Sequence, residues 1–257
     1  MEELKPGPLD LEGARLLVLT GAGVSAESGL ATFRDSNGLW EQHRVEDVAS
    51  PEGFFRDSPL VWRFYSLRRD QAKTVEPNAG HFALADVEKR LGDRFLLVTQ
   101  NVDGLHQRAG SERVIEIHGS LFRTKCSRCD LEPFHDEATY FSDVLPTCHA
   151  CERRGSAALL RPDIVWFGEM LDPANLYAIE AFLKRDPQKP LVFIAAGTSG
   201  AVWPAAGVVN QARQAGGKTY LVNTEPADNT ARFHTFIQGR SAATLPALLG
   251  VNRDPSR

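Results

Sequence analysis

The sequence predicts an α/β fold, a Rossmann-like doubly wound parallel sheet with a smaller lobe of different character. Apolar, β-branched runs alternate with helix-like segments, and two stretches interrupt that rhythm. The runs Ala14–Thr20, Phe95–Gln100, Val114–His118, Leu191–Ala196 and Thr219–Asn223 are bounded by turn or polar residues. They show little polar alternation, as expected of parallel strands covered on both faces. Between them Asn78–Leu91, Pro173–Lys184 and Pro204–Ala215 read as helices. The interruptions are Asp35–Pro77, with Trp, Phe and Arg at helical spacing, and Phe122–Asp163, which holds every cysteine. The expected organisation is a sheet lobe from residues 1–34, 78–121 and 164–257, and a small lobe from insertions at 35–77 and 122–163. A substrate cleft would lie between the lobes.

Composition narrows the function. The 257 residues suit one large domain, or a large and a small one sharing a core. Lys plus Arg number 29 against 33 Asp plus Glu, a formal charge of −4, so no global basic field attracts nucleic acid or anionic lipid. Met1–Leu11 carries Glu2, Glu3 and prolines instead of a basic region followed by an apolar run, and no stretch reaches about 18 apolar residues. The expectation is a soluble, cytoplasmic, monomeric protein with neither nucleic acid nor membrane as partner.

The first strand runs straight into Gly21-Ala22-Gly23-Val24-Ser25-Ala26, a dinucleotide pattern with Ala in the third glycine position. Glycine at the first two sites permits a tight turn and close approach of backbone N–H groups to a pyrophosphate. A strand-to-helix turn without any ligand has the same appearance. A dehydrogenase also needs an acidic residue about 20 positions on, at the end of a second strand. Glu41 has the distance, but Phe33–Trp40 before it does not read as a strand.

Cys126-x-x-Cys129 and Cys148-x-x-Cys151, with 18 residues between the pairs, match the paired knuckles of a zinc ribbon. Four thiolates fill a tetrahedral Zn²⁺ shell and leave no position for water, so such a zinc is structural. His135 and His149 are surplus to it. The basic residues around the knuckles are largely cancelled by Glu132, Asp136, Glu137 and Asp143, which disfavours a nucleic-acid ribbon.

Gln100-Asn101-Val102-Asp103 and His118-Gly119 end two strands, where open parallel sheets bind ligands. By pattern alone Asn101 and Asp103 also read as N-caps of a helix at Gly104–Ala109, and His118 as a satisfied core histidine.

Taken together, these motifs resemble the sirtuins. The resemblance rests on Gly21-Ala22-Gly23-Val24-Ser25, Thr32-Phe33-Arg34, Gln100-Asn101-Val102-Asp103, His118-Gly119, the four cysteines, Val165-Trp166-Phe167-Gly168-Glu169, Gly197-Thr198-Ser199 and Asn223-Thr224-Glu225. It spans roughly Leu11 to Leu249 and implies NAD⁺ and an acylated-lysine protein or peptide meeting in the cleft. It places Gly21, Ala22, Gly23, Ser25, Phe33 and Arg34 on the phosphate and nicotinamide-ribose side of NAD⁺. Gln100, Asn101 and Asp103 would hold the ribose and nicotinamide amide. Gly197, Thr198, Ser199, Asn223, Thr224, Glu225 and the Ser241 backbone would border the adenosine half. Val165, Trp166, Phe167 and Gly168 would form a strand-like edge that pairs with the peptide backbone.

His118 would be the general base, since an imidazole of pKa about 6.5 accepts a ribose hydroxyl proton near neutral pH. The implied path begins with attack of the acyl oxygen on the nicotinamide-bearing ribose carbon and release of nicotinamide. His118-assisted attack by the 2′-hydroxyl then gives free lysine and O-acyl-ADP-ribose, with NAD⁺ consumed as co-substrate.

Tyr65 and Arg68 stand three residues apart in Pro59–Ala72, whose apolar spacing is helical, so they share a face. Pattern alone makes Arg68 solvated and Tyr65 half-buried. The resemblance implies otherwise: Tyr-x-x-Arg, with Ala26 after Gly-Val-Ser, looks like the class III, desuccinylase-type sirtuins. There a small residue opens the acyl pocket and the pair binds a succinyl- or malonyl-type carboxylate, acetyl groups being removed as well. A guanidinium grips a carboxylate through two charge-assisted hydrogen bonds, and a phenol adds a third.

Overall fold

The computed structural model describes residues 7–31, 39–40 and 43–251. Strand β1 (Arg15–Thr20) is followed by a short antiparallel pair, β2 (Leu39–Trp40) and β3 (His43–Arg44). β4 (Phe95–Thr99) and β5 (Val114–Glu116) lead into β6 (Gly119–Cys126), β7 (Phe134–His135) and β8 (Leu160–Ile164). The chain returns through β9 (Leu191–Ala196), β10 (Lys218–Asn223) and β11 (Thr235–Gln238). Six of these form one parallel sheet in the order β11-β10-β9-β1-β4-β5. The chain runs outward in both directions from β1, which makes the β1/β9 boundary a topological switch point, where such sheets bind ligands beyond the strands' carboxyl ends.

Every residue of β1 is buried because alternate side chains enter different cores. Leu16 and Val18 pack with Ala83, Leu84 and Val87 of the helix Ala79–Leu91 and with Leu245 and Leu248 of the helix Ser241–Leu249. Leu17 and Leu19 pack with Ile179 and Phe182 of Pro173–Lys184 and with Val209 and Ala212 of Val208–Gln214. Helices on both faces therefore account for the unbroken apolar run. Asn78 starts the first of these helices: its side chain accepts from Gly80 N, and His81 Nδ1 accepts from Asn78 N.

The elements differ from expectation in four places. The strand expected over Val114–His118 ends at Glu116, because the chain turns at Gly119 with φ +83°. A Cβ there would lie 1.9 Å from the Asp163 carbonyl oxygen, so only glycine fits. The segment expected as one helix over Pro204–Ala215 starts as a 3₁₀ turn at Ala205–Gly207 before Val208–Gln214. β11 and the helix Ser241–Leu249 were not anticipated. β11 has four residues with a single buried position, and Pro246 stands inside the last helix, against the usual pattern.

β7-β6-β8 form an antiparallel sheet. The helix Ser58–Thr74, capped by Asp57 accepting from Leu60 N, packs against it. Val61, Trp62, Phe64 and Tyr65 share a third core with Leu121, Cys126, Cys148, Leu160 and Trp166. Through this core runs Arg69, fully buried, which donates to the carbonyls of Leu121 (2.6 Å) and Ala138 (2.6 Å), to Thr124 Oγ1 (2.9 Å) and to Asp136 Oδ2 (3.1 Å). One planar fork thereby ties the helix to β6 and to the chain beyond β7. Among the described residues no helix is long and apolar enough to cross a membrane.

Arg69→Met is expected to cost about 3 kcal/mol or more of unfolding free energy, because it removes the cation paired with Asp136 and the donor of buried carbonyls. An unchanged denaturation midpoint in urea would contradict that role.

Candidate active site and metal centre

The loops after β1 and β9 meet almost without side chains. A Cβ on Gly21 would lie 2.7 Å from the Gly197 carbonyl oxygen, and one on Gly23 2.7 Å from Gly197 Cα. Gly21 N and Gly23 N donate to the carbonyls of Ala196 (3.0 Å) and Gly197 (2.8 Å), so both N–H groups are taken internally. These glycines serve loop packing first, and Ala22, exposed at the start of a five-residue helix, is the turn's outward face.

Polar side chains from neighbouring strand ends lock onto this turn. Asn101 Nδ2 donates to the Gly21 carbonyl (3.1 Å) and to Ser25 Oγ (3.0 Å), and Ser25 Oγ donates to Asp103 Oδ2 (2.7 Å). Asp103 Oδ1 accepts from Leu105 N (2.9 Å), but the helix Leu105–Arg108 has Gly104 as its N-cap, so neither Asp103 nor Asn101 is the cap, and Asn101 braces the turn. Burial pushes the Asp103 carboxyl up from its ordinary value, opposed by these hydrogen bonds and by the nearby Arg68 charge. Gln100 Nε2 donates to Thr198 Oγ1 (3.0 Å), and Asn223 Nδ2 to the Thr198 carbonyl (3.1 Å), which joins the ends of β4, β9 and β10. Ser199 is half-buried, and Thr224 and Glu225 are exposed beside them. Ser241 is buried, and the following N–H, Ala242 N, donates to Glu27 Oε1 (2.9 Å). Phe33 and Arg34, like Glu41, lie outside the described residues.

His118 is half-buried, and its Nδ1 lies 3.2 Å from the Gln100 carbonyl. A carbonyl only accepts, so Nδ1 carries the proton and Nε2 the lone pair. Burial lowers the His118 pKa, and the Gln100 bond only partly offsets this. The neutral, basic form therefore dominates at neutral pH. Two further histidines underlie the crevice without any signal in the sequence beyond being polar residues in buried segments. His106 Nε2 bonds Thr20 Oγ1 (2.9 Å), which in turn donates to Thr99 Oγ1 (2.8 Å). The His81 ring lies 4.8 Å from the His106 ring at a tilt of 55°, and burial takes His81 down to about 4 and His106 well below its ordinary value.

Arg68 is 9 % exposed and Tyr65 fully buried, which overturns the surface placement that helical spacing suggested. Helix periodicity could not foresee that this face is covered by the third core. Trp166 Nε1 donates to Tyr65 Oη (2.9 Å). Burial pushes the Tyr65 phenol up, so its hydroxyl keeps its proton. Ala26 ends the short helix and is exposed.

The Val165–Gly168 segment follows β8 without being a strand, and several of its N–H groups are already engaged. Val165 N donates to the His118 carbonyl (2.9 Å), Trp166 N to Glu169 Oε2 (2.8 Å) and Phe167 N to the Ala49 carbonyl (3.0 Å). Trp166 is buried, while Phe167 and Gly168 are exposed.

The sulfur atoms of Cys126, Cys129, Cys148 and Cys151 lie within 4.8 Å of one another, with Cys126–Cys151 at 3.8 Å and Cys129–Cys148 at 3.7 Å. A tetrahedron with Zn–S bonds of about 2.3 Å has edges of roughly 3.8 Å, so the donor set fits zinc in both number and size. Arg128 N and Cys129 N, each 3.3 Å from Cys126 Sγ, are placed to stabilise a thiolate. His135 pairs with Glu137 and His149 is exposed, so neither joins the cluster.

Comparison with known proteins agrees with this geometry. The Sir2 family model matches residues 21–204. An NAD-dependent protein deacylase of Salmonella typhimurium is 46% identical over 243 residues, covering 93% of this chain and 84% of that protein. One from Vibrio parahaemolyticus is 43% identical over 237 residues, covering 91% and 93%. Among solved structures, a Sir2 homolog–NAD complex superposes with a TM-score of 0.81 at 37% identity, covering 95% of this chain and 94% of that one. A Sir2 bound to acetylated peptide superposes at 0.72 with 28% identity and 90% coverage of each chain. With the family model matching well over half of its length, the chain belongs to the Sir2 family.

Proposed function

We propose that this protein is an NAD-dependent protein-lysine deacylase that favours acyl groups ending in a carboxylate and also removes acetyl groups. The observation that carries the deacylase reading is the His118 ring, pinned through Nδ1 to Gln100 with Nε2 left as the base in a crevice built around the glycine turn. The deacylases and the NAD and acetyl-peptide complexes among its relatives support the same chemistry.

Bound NAD⁺ supplies the electrophilic ribose carbon, the nicotinamide leaving group and the ribose hydroxyl. His118 Nε2 takes the proton from that hydroxyl as the acyl carbon is attacked. Gln100, Asn101 and Asp103, with Gly21, Ala22, Gly23 and Ser25, form the nicotinamide-ribose side. Gly197, Thr198, Ser199, Asn223, Thr224, Glu225 and Ser241 form the adenosine side. Phe33 and Arg34 are assigned to the cofactor by motif alone. Val165, Trp166, Phe167 and Gly168, with Ala26, border the acyl-lysine substrate. Arg68 and Tyr65 hold the acyl carboxylate, a reading supported by a guanidinium and a proton-bearing phenol standing one turn apart on a buried helix face. The four cysteines hold a structural zinc. The assignment of residues 1–34, 78–121 and 164–257 to the cofactor lobe, and of 35–77 and 122–163 to the small lobe, draws support from the separate cores. The partners are acylated-lysine proteins, and the working unit is a monomer.

The test is mass spectrometry of products from succinyl-peptide and NAD⁺. Nicotinamide, free lysine and O-succinyl-ADP-ribose are expected, and ADP-ribosylated protein in their place would overturn the reading. Arg68→Met is expected to cut desuccinylation by about 1.5 to 3 kcal/mol in transition-state binding while sparing deacetylation. Equal losses on both substrates would remove the carboxylate role. His118→Ala should abolish turnover in a folded, NAD⁺-binding protein. Because burial sets the His118 pKa below its ordinary 6.5, the acid limb of kcat/KM should fall below pH 6.5, activity being lost only as pH drops through that value. A limb above pH 7 would point to another base. Stripping the metal under reducing conditions should red-shift the fluorescence of Trp62 and Trp166, which share a core with the cysteines.

A further inference from the structure

Trp166 lies in the segment assigned to the peptide, yet its side chain turns inward and is 2 % exposed. Its indole packs against two partners. The Arg161 guanidinium lies 3.3 Å from the ring centroid, and the Phe54 ring lies at 5.4 Å. Arg161 is itself fixed by two bonds to Glu169 (2.6 and 2.9 Å) and one to the Ile164 carbonyl (2.7 Å). Glu169 Oε2 also accepts from Trp166 N (2.8 Å), so the same carboxylate holds both the main chain and the stacked cation. The indole N–H consequently has one direction, and it ends on Tyr65 Oη.

A buried indole N–H needs an acceptor, and a backbone carbonyl would do. Trp62, in the same core, uses that solution, donating to the Leu160 carbonyl at 3.0 Å. Trp166 instead occupies an acceptor site of a phenol. A phenolic proton lies near the ring plane on one side or the other, so a donor filling one side turns the proton to the other. Tyr65 is thereby made a donor of fixed direction, on the helix face that also carries Arg68.

We propose that Trp166 is a positioning residue for acyl selectivity: through Tyr65 it aims a hydroxyl proton at the carboxylate that Arg68 binds. This rests on the carboxylate reading of Tyr65 and Arg68. Removing the indole N–H frees the phenol to turn its proton away, and acidic acyl groups lose more than acetyl does.

The test compares KM and kcat for one peptide carrying succinyl- or acetyl-lysine in wild type, Trp166→Phe, Tyr65→Phe, the double variant and Arg68→Met. Trp166→Phe is expected to raise the succinyl KM about fivefold more than the acetyl KM, with the succinyl-to-acetyl ratio of kcat held within about twofold, the size of one lost neutral hydrogen bond. Added to Tyr65→Phe it should change succinyl selectivity no further. Equal effects on both acyl groups, or a full second loss in the double variant, would overturn the proposal. If Trp166→Phe fails to fold, the benzothienyl isostere of tryptophan at this position keeps the shape and removes only the N–H, with the same expected outcomes. Selective loss in Arg68→Met without any in Trp166→Phe refutes the positioning role alone. No selectivity in Arg68→Met refutes the carboxylate reading and the proposal with it.

Discussion

The close approach of the loops after β1 and β9 is the constraint on which the rest of the crevice depends. Gly197 sits at φ +61°, and a Cβ on it would lie 2.4 Å from Val24 N. With side chains excluded there, the ends of neighbouring strands come within reach of short polar groups. Asn101 then spans to the Gly21 carbonyl, and Thr198 gathers Gln100 and Asn223. Gln100 passes the alignment to His118 through its own carbonyl. Parallel strands would end side by side in any such sheet, but only this contact turns their ends into one continuous polar surface.

The small lobe solves a different problem, since it buries three arginines in a modest core. Arg69 satisfies carbonyls left over where β6 leaves the helix Ser58–Thr74, and Arg161 stacks on Trp166 while paired with Glu169. Both depend on a planar guanidinium that presents several donors in fixed directions, which an ammonium does not. The four-thiolate cluster closes the far side of the same core. Metal and buried cations together thus supplement a modest apolar core.

Much of the sheet was legible because strands covered on both faces leave unbroken apolar runs, as in Leu191–Ala196. β11 escaped because an edge strand with one buried residue carries no such run, and the last helix because Pro246 reads as a breaker. The cysteine quartet was legible since its spacing is local chemistry. The polar strand ends were visible as candidates, but pattern could not tell a core histidine from a base in a cleft. Arg68 is the instructive failure of periodicity: spacing shows which residues share a face, not what covers that face. Family resemblance supplied what spacing lacked there. Neither source exposed His81, His106 or the inward turn of Trp166, since each depends on contacts between segments far apart in the chain.

The burial of Arg68 also bears on how the pocket behaves in different salt. Counter-ions in bulk solution largely screen attraction between exposed charges more than about 8 Å apart at physiological ionic strength, but they reach a 9 % exposed guanidinium poorly. The desolvation of that cation is settled when the chain folds, before any acyl chain arrives. On the role proposed for Arg68, discrimination between acidic and neutral acyl groups is a property of the interior, nearly independent of the surrounding electrolyte, whereas the diffusional encounter with a charged protein partner is not.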